Sequence, residues 1–133
     1  MFMSDSILKV LRPGINSTFQ DIGRNNFYHI GLPFSGAMDK RNFLISNNLS
    51  GNPNNFPVLE FAYQGPLLKV EKGKINLAIT GNVNFKIKNK LSKKIDGECY
   101  KNYILYEGDE IDIISTNHSV YGYLAVSGGF KLE

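Results

Sequence analysis

From Val58 to Val126 the chain is cut into short apolar runs with turn signals between them, and that succession limits the fold more than any other feature. VLEFAY (58–63), LLKVE (67–71), INLAIT (75–80), FKIKN (85–89), YILYE (103–107), EIDII (110–114) and YGYLAV (121–126) are rich in Ile, Val, Leu and Tyr. Many alternate polar with apolar residues, as a strand does when one face meets water. Gln64-Gly65-Pro66, Glu71-Lys72-Gly73-Lys74, Gly81-Asn82 and Glu107-Gly108-Asp109 separate them with residues that favour tight turns. Ile7 to Leu11 alternates as a first strand and closes on Pro13-Gly14, where Pro presets φ and Gly accepts φ > 0 at the next position. Strands at this spacing predict a closed or nearly closed antiparallel barrel.

One segment breaks the pattern. SGAMDKRNFLISNNLSG, residues 35–51, predicts one principal helix near residues 36–50. Ser35 is the expected N-cap, and Asp39 falls in the first turn, where the helix dipole favours a carboxylate. Met38, Ile45 and Leu49 fall on one face, with Phe43 and Leu44 beside it. Gly51 and Pro53 end the helix. The expectation is a mainly β protein with one helix, forming a single domain over residues 1–133.

Several function classes drop out. The net charge is +3, with no run of basic residues that would make a nucleic-acid arm. A single cysteine, Cys99, rules out an internal disulfide framework or a multi-cysteine metal site, and its polar surroundings mark it as incidental. The N-terminus lacks a signal-peptide pattern, and no apolar run approaches the roughly 18 residues of a membrane span. The chain therefore reads as cytoplasmic, with no membrane and no nucleic-acid partner. Phosphate-loop, zinc-helix, nucleophile-elbow and dinucleotide fingerprints are all missing. His29 and His118 lie far apart and propose no metal site.

What chemistry remains lies between Pro13 and Glu60. Gln20, Asp21 and Arg24 share one loop, and GLPFSGAMD (31–39) brings Ser35, Gly36, Ala37 and Asp39 to a helix start. Free N–H groups at a helix N-terminus bind anions, and Arg24 would add a bidentate partner for a carboxylate. Asp21 or Asp39 could orient a nucleophilic nitrogen. The plainer reading is that Asp21 caps a turn, Arg24 pairs with Asp39 or Glu60, and Asn47-Asn48 cap the helix end.

LKVLRPGINSTFQDIGR, GLPFSGAMDKRNFLISNNLSGN, LEFAYQGPLLKV, AITGN and YLAVSGGF occur in that order. Together they resemble the family called allophanate hydrolase subunit 2, also known as the 5-oxoprolinase C-subunit or the biotin-dependent carboxyltransferase family. The resemblance runs from Leu8 to Phe130. It implies a cyclophilin-like antiparallel β-barrel working beside a cyclophilin-like second subunit, with a third subunit in 5-oxoprolinase. The substrate it implies is a small amide or lactam, either urea carboxylated from carboxybiotin or 5-oxoproline opened at the expense of ATP. ATP and biotin would then reside on partner subunits, with no cofactor bound by this chain.

Gln20, Asp21, Arg24, Ser35 and Asp39 all match family blocks. The resemblance itself assigns no roles; the chemistry of the residues makes Asp21 and Asp39 the expected catalytic pair and gives substrate binding to Gln20, Arg24, Ser35, Gly36 and Ala37. Family members are longer, and a Gly-Ser-x-Ser-Thr-like block that follows their Gly-Gly turn is missing here, so the resemblance is to the N-terminal half of a longer protein. A segment of that kind would be inactive alone. Relatives described as antagonists of a histidine-kinase inhibitor keep a competing role open, that of a non-catalytic module pairing with a cyclophilin-like partner. A free-standing β-barrel ligand binder is a third option.

Overall fold

The computed structural model describes residues 6–14, 17–20, 39–117 and 121–130. Among these residues the chain forms ten strands and one helix. The strands are β1 (Ile7–Arg12), β2 (Thr18–Gln20), β3 (Val58–Ala62), β4 (Leu67–Lys72), β5 (Lys74–Thr80), β6 (Val83–Lys88), β7 (Lys94–Asp96), β8 (Asn102–Tyr106), β9 (Glu110–Thr116) and β10 (Tyr121–Val126). The helix is α1 (Lys40–Leu49).

The strands sort into two five-stranded sheets, β1-β4-β9-β6-β7 and β2-β3-β10-β5-β8. Every described pairing is antiparallel. This corrects the expected closed barrel: among the described residues no ladder joins one sheet to the other. Local alternation fixes which residues point inward but not whether edge strands meet, so spacing alone could not separate the two arrangements. The three-residue strands β2 and β7 were not foreseen, being too short to carry a period.

The core lies between the sheets. Leu68, Val70, Phe85, Ile87, Ile111 and Ile113 of the first sheet meet Leu59, Phe61, Ile75, Leu77, Ile79, Leu105 and Leu124 of the second. Burying one such side chain contributes about 1.5–3 kcal/mol. Gly122 is needed for this packing, because a Cβ there would collide with the Phe61 ring. Gly14 likewise serves close approach and not a positive φ: a Cβ would lie 2.5 Å from the Gly65 backbone.

The second sheet is covered on its other face as well. α1 packs over β3, β5 and β10, and Phe43, Val58, Tyr123 and Ala125 form a smaller apolar cluster there. That explains why β3 is buried at all five positions while β6 alternates. The helix differs from expectation. It begins at Lys40 with Asp39 as N-cap, so Ser35 does not cap it, and Ser35 itself lies outside the described residues. Its buried residues are Phe43, Ser46 and Asn47, not the Ile45 and Leu49 face. Polar side chains tolerate that burial because Ser46 donates to the Phe43 carbonyl at 2.7 Å and Asn47 to the Phe56 carbonyl at 3.0 Å.

Candidate functional site

Asp39 is the expected site residue whose side chain falls within the described part of the chain. As N-cap it accepts from the Asn42 N–H through Oδ1 at 3.1 Å, and from the Asn42 side-chain amide through Oδ2 at 2.8 Å. A carboxylate offers about four acceptor positions, so capping leaves it able to accept further hydrogen bonds. Gln20 lies in β2, its backbone opposite Val58. Its side chain, together with Asp21, Arg24, Ser35, Gly36, Ala37, His29 and His118, lies outside the described residues.

The start of α1 is fastened to the second sheet from below. Tyr123, fully buried on β10, accepts from the Asp39 N–H at 2.8 Å and donates to Glu60 Oε2 at 2.5 Å. Glu60 sits on β3 directly opposite Tyr123, and Thr80 on β5 is opposite Tyr123 on the other side. Thr80 donates to the Asn42 carbonyl at 2.8 Å. Burial, followed by the hydrogen bond to Glu60, raises the Tyr123 phenol well above the usual tyrosine range. It therefore stays a neutral donor to the carboxylate.

Beside the start of α1 an open cleft of about 820 Å³ is lined, among the described residues, by Asp39, Asn42, Asn82, Glu98, Cys99 and Tyr100 with Gly81 and Val83. The Tyr100 hydroxyl donates to Asn42 Oδ1 at 2.6 Å and accepts from the Gly81 N–H at 3.2 Å. Cys99 donates weakly to the Val83 carbonyl at 3.5 Å, and burial pushes its thiol up. It is then a poor nucleophile at neutral pH. The described lining holds two carboxylates and no Lys or Arg, so these side chains suit the N–H side of a neutral group better than an anion. Among the described residues no cluster of three or more His, Cys, Asp or Glu could hold a metal. None of their helices is long and apolar enough to cross a membrane.

Sequence reasoning missed Asn42, Tyr100, Tyr123 and Thr80. Asn42 had a readable signal, since an amide three residues after a capping Asp lies within reach of it. Tyr123 and Thr80 depend on strand register, and Tyr100 on the path of the turn before β8.

Residues 30–133 match the family described as the carboxyltransferase domain, subdomain A and B. The chain belongs to that family. It is 29% identical over 129 residues to the 5-oxoprolinase C-subunit of Haemophilus influenzae, covering 95% of this chain and 39% of that protein. It is 32% identical over 125 residues to the urea amidolyase of Lachancea kluyveri, covering 93% and 7%. Among solved structures, the Kluyveromyces lactis urea carboxylase superposes with a TM-score of 0.78 at 28% identity, over 95% of this chain and 11% of that one. The resemblance read from the sequence blocks is thus established, and the chain is a carboxyltransferase-like domain of the group that contains the 5-oxoprolinase C-subunit and urea amidolyase. It spans about two fifths of the length of the first relative, 39%, and far less of the second.

Proposed function

We propose that this chain is a segment of an amide-acting enzyme, of the 5-oxoprolinase C-subunit or urea carboxylase type, and that the cleft at the start of α1 handles the substrate amide. The observation that carries this reading is the placement of Asp39. It belongs to a family-matching block, lines the cleft, and is held there by Asn42. On this reading Asp39 or Asp21 orients or deprotonates the nitrogen of a small amide or lactam, and Gln20 bonds its carbonyl. Arg24 with Ser35, Gly36 and Ala37 holds the anionic group that the described lining does not accommodate. The domain is cyclophilin-like and works beside a similarly folded subunit. ATP, and biotin where carboxyl transfer is the reaction, belong to partner chains.

The test is turnover by the assembled protein with its co-purifying chains, comparing the native sequence with Asp39→Asn. Asn caps helices as well as Asp, so the fold is retained. Turnover of 5-oxoproline or urea should fall about 10²–10⁴-fold, the usual contribution of acid–base help. Assemblies that bind their partner yet turn over neither substrate would favour the non-catalytic binding module.

A further inference from the structure

We propose that Tyr100 is a positioning residue for Asp39, acting through the Asn42 amide. The inference deepens the proposed function and rests on the cleft being the place where the amide is handled.

Tyr100 has a φ of +64°, a backbone conformation that a bulky side chain adopts only where its surroundings hold it. Here the Tyr100 N–H donates to the Ile79 carbonyl at 2.7 Å. The result is that a phenol from the segment before β8 reaches a helix residue 58 positions earlier in the chain. Its oxygen already accepts from the Gly81 N–H, which leaves its own proton to be directed at Asn42 Oδ1. That settles the orientation of the Asn42 amide. With its oxygen toward the phenol, its NH₂ group faces Asp39 Oδ2 at 2.8 Å. The flipped amide would set an oxygen against the carboxylate. Gly81, Tyr100, Asn42 and Asp39 thus form one chain of hydrogen bonds that all donate in the same direction and end on the carboxylate, an arrangement in which each bond strengthens the next. The Asp39 carboxylate, which can only accept, favours that orientation from one side. Tyr100 holds the amide from the other side, and the strained backbone is what places its hydroxyl.

The experiment has two readouts. In ¹⁵N spectra of the protein, the Asn42 side-chain NH₂ signals should stand apart from those of solvent-exposed asparagines and move toward them in Tyr100→Phe. In the assembled enzyme, Tyr100→Phe should lower kcat about tenfold with little change in KM, as losing one hydrogen bond to a charged chain does. Tyr100→Phe combined with Asn42→Ala should be no slower than Asn42→Ala alone. Unchanged Asn42 signals, or losses that multiply in the double variant, would overturn the inference while leaving the proposed function intact. Full turnover in Asp39→Asn would overturn both.

Discussion

The outer faces of the two sheets are built from the same kind of strand and have opposite character. On the first sheet, Lys86 lies across from Asp112 and Asp96, and Lys88 across from Glu110 and Lys94. The ion pairs Lys86–Asp96 and Lys88–Glu110 are both 3.6 Å long, and the Lys86 and Asp96 side chains are 50% and 86% exposed. Arg12 is tighter, at 2.7 Å from Asp112, and also donates to the Gly65 and Ile113 carbonyls. On the second sheet the corresponding row is Glu60, Tyr123 and Thr80, sealed beneath α1. A solvated charge ladder keeps a sheet face wet and stays indifferent to what lies above it. A buried polar row must be satisfied, and the partners that satisfy it fix where a helix begins.

The comparison breaks most directly at Tyr123. Tyr123→Phe removes the donor to Glu60 and leaves the Asp39 N–H without its acceptor. Urea unfolding should show a loss of about 1–3 kcal/mol, the usual result of stranding a buried polar group. The same residue predicts a pH limb. A phenol raised in the folded state stays protonated there while the unfolded chain ionises near its ordinary value of about 10. Its stability contribution is therefore complete below about pH 10 and declines as pH rises further, at up to about 1.4 kcal/mol per unit. Tyr123→Phe should flatten that limb; an equally steep limb in the variant would assign it elsewhere. The smallest effect belongs to the first sheet. Lys86→Ala should change stability by less than about 1 kcal/mol, and the change should shrink further in high salt. A loss as large as that of Tyr123→Phe would erase the distinction between the two faces.

Much of the β architecture was legible. The positions of β3, β4, β5, β9 and β10 follow from β-branched runs and the glycines between them, because those choices are made within a few residues. Gly73 in the hairpin between β4 and β5, at φ +79°, is such a case. The helix was legible in type but not in its ends. Asp39 caps it because its N–H finds Tyr123 from β10, and no local signal announces that acceptor. The buried face was misjudged as well: Phe43 packs against Val58, Tyr123 and Ala125 of the sheet, and Ser46 and Asn47 are buried with their polar groups satisfied by the Phe43 and Phe56 carbonyls.

The sequence by itself determined most of the strands and their turns and the presence of one helix, which rest on residue type and order along a short stretch, and the family, which rests on blocks spread from Leu8 to Phe130. Only the tertiary structure decided that the strands form two separate sheets and that Glu60 meets Tyr123 from 63 residues away. It also decided that Tyr100 closes over Asn42. Those outcomes depend on cross-strand register and on the packing of a helix against a sheet. A one-residue slip would turn Glu60 and Tyr123 to the opposite face, and nothing in a local window records which register the whole molecule adopts.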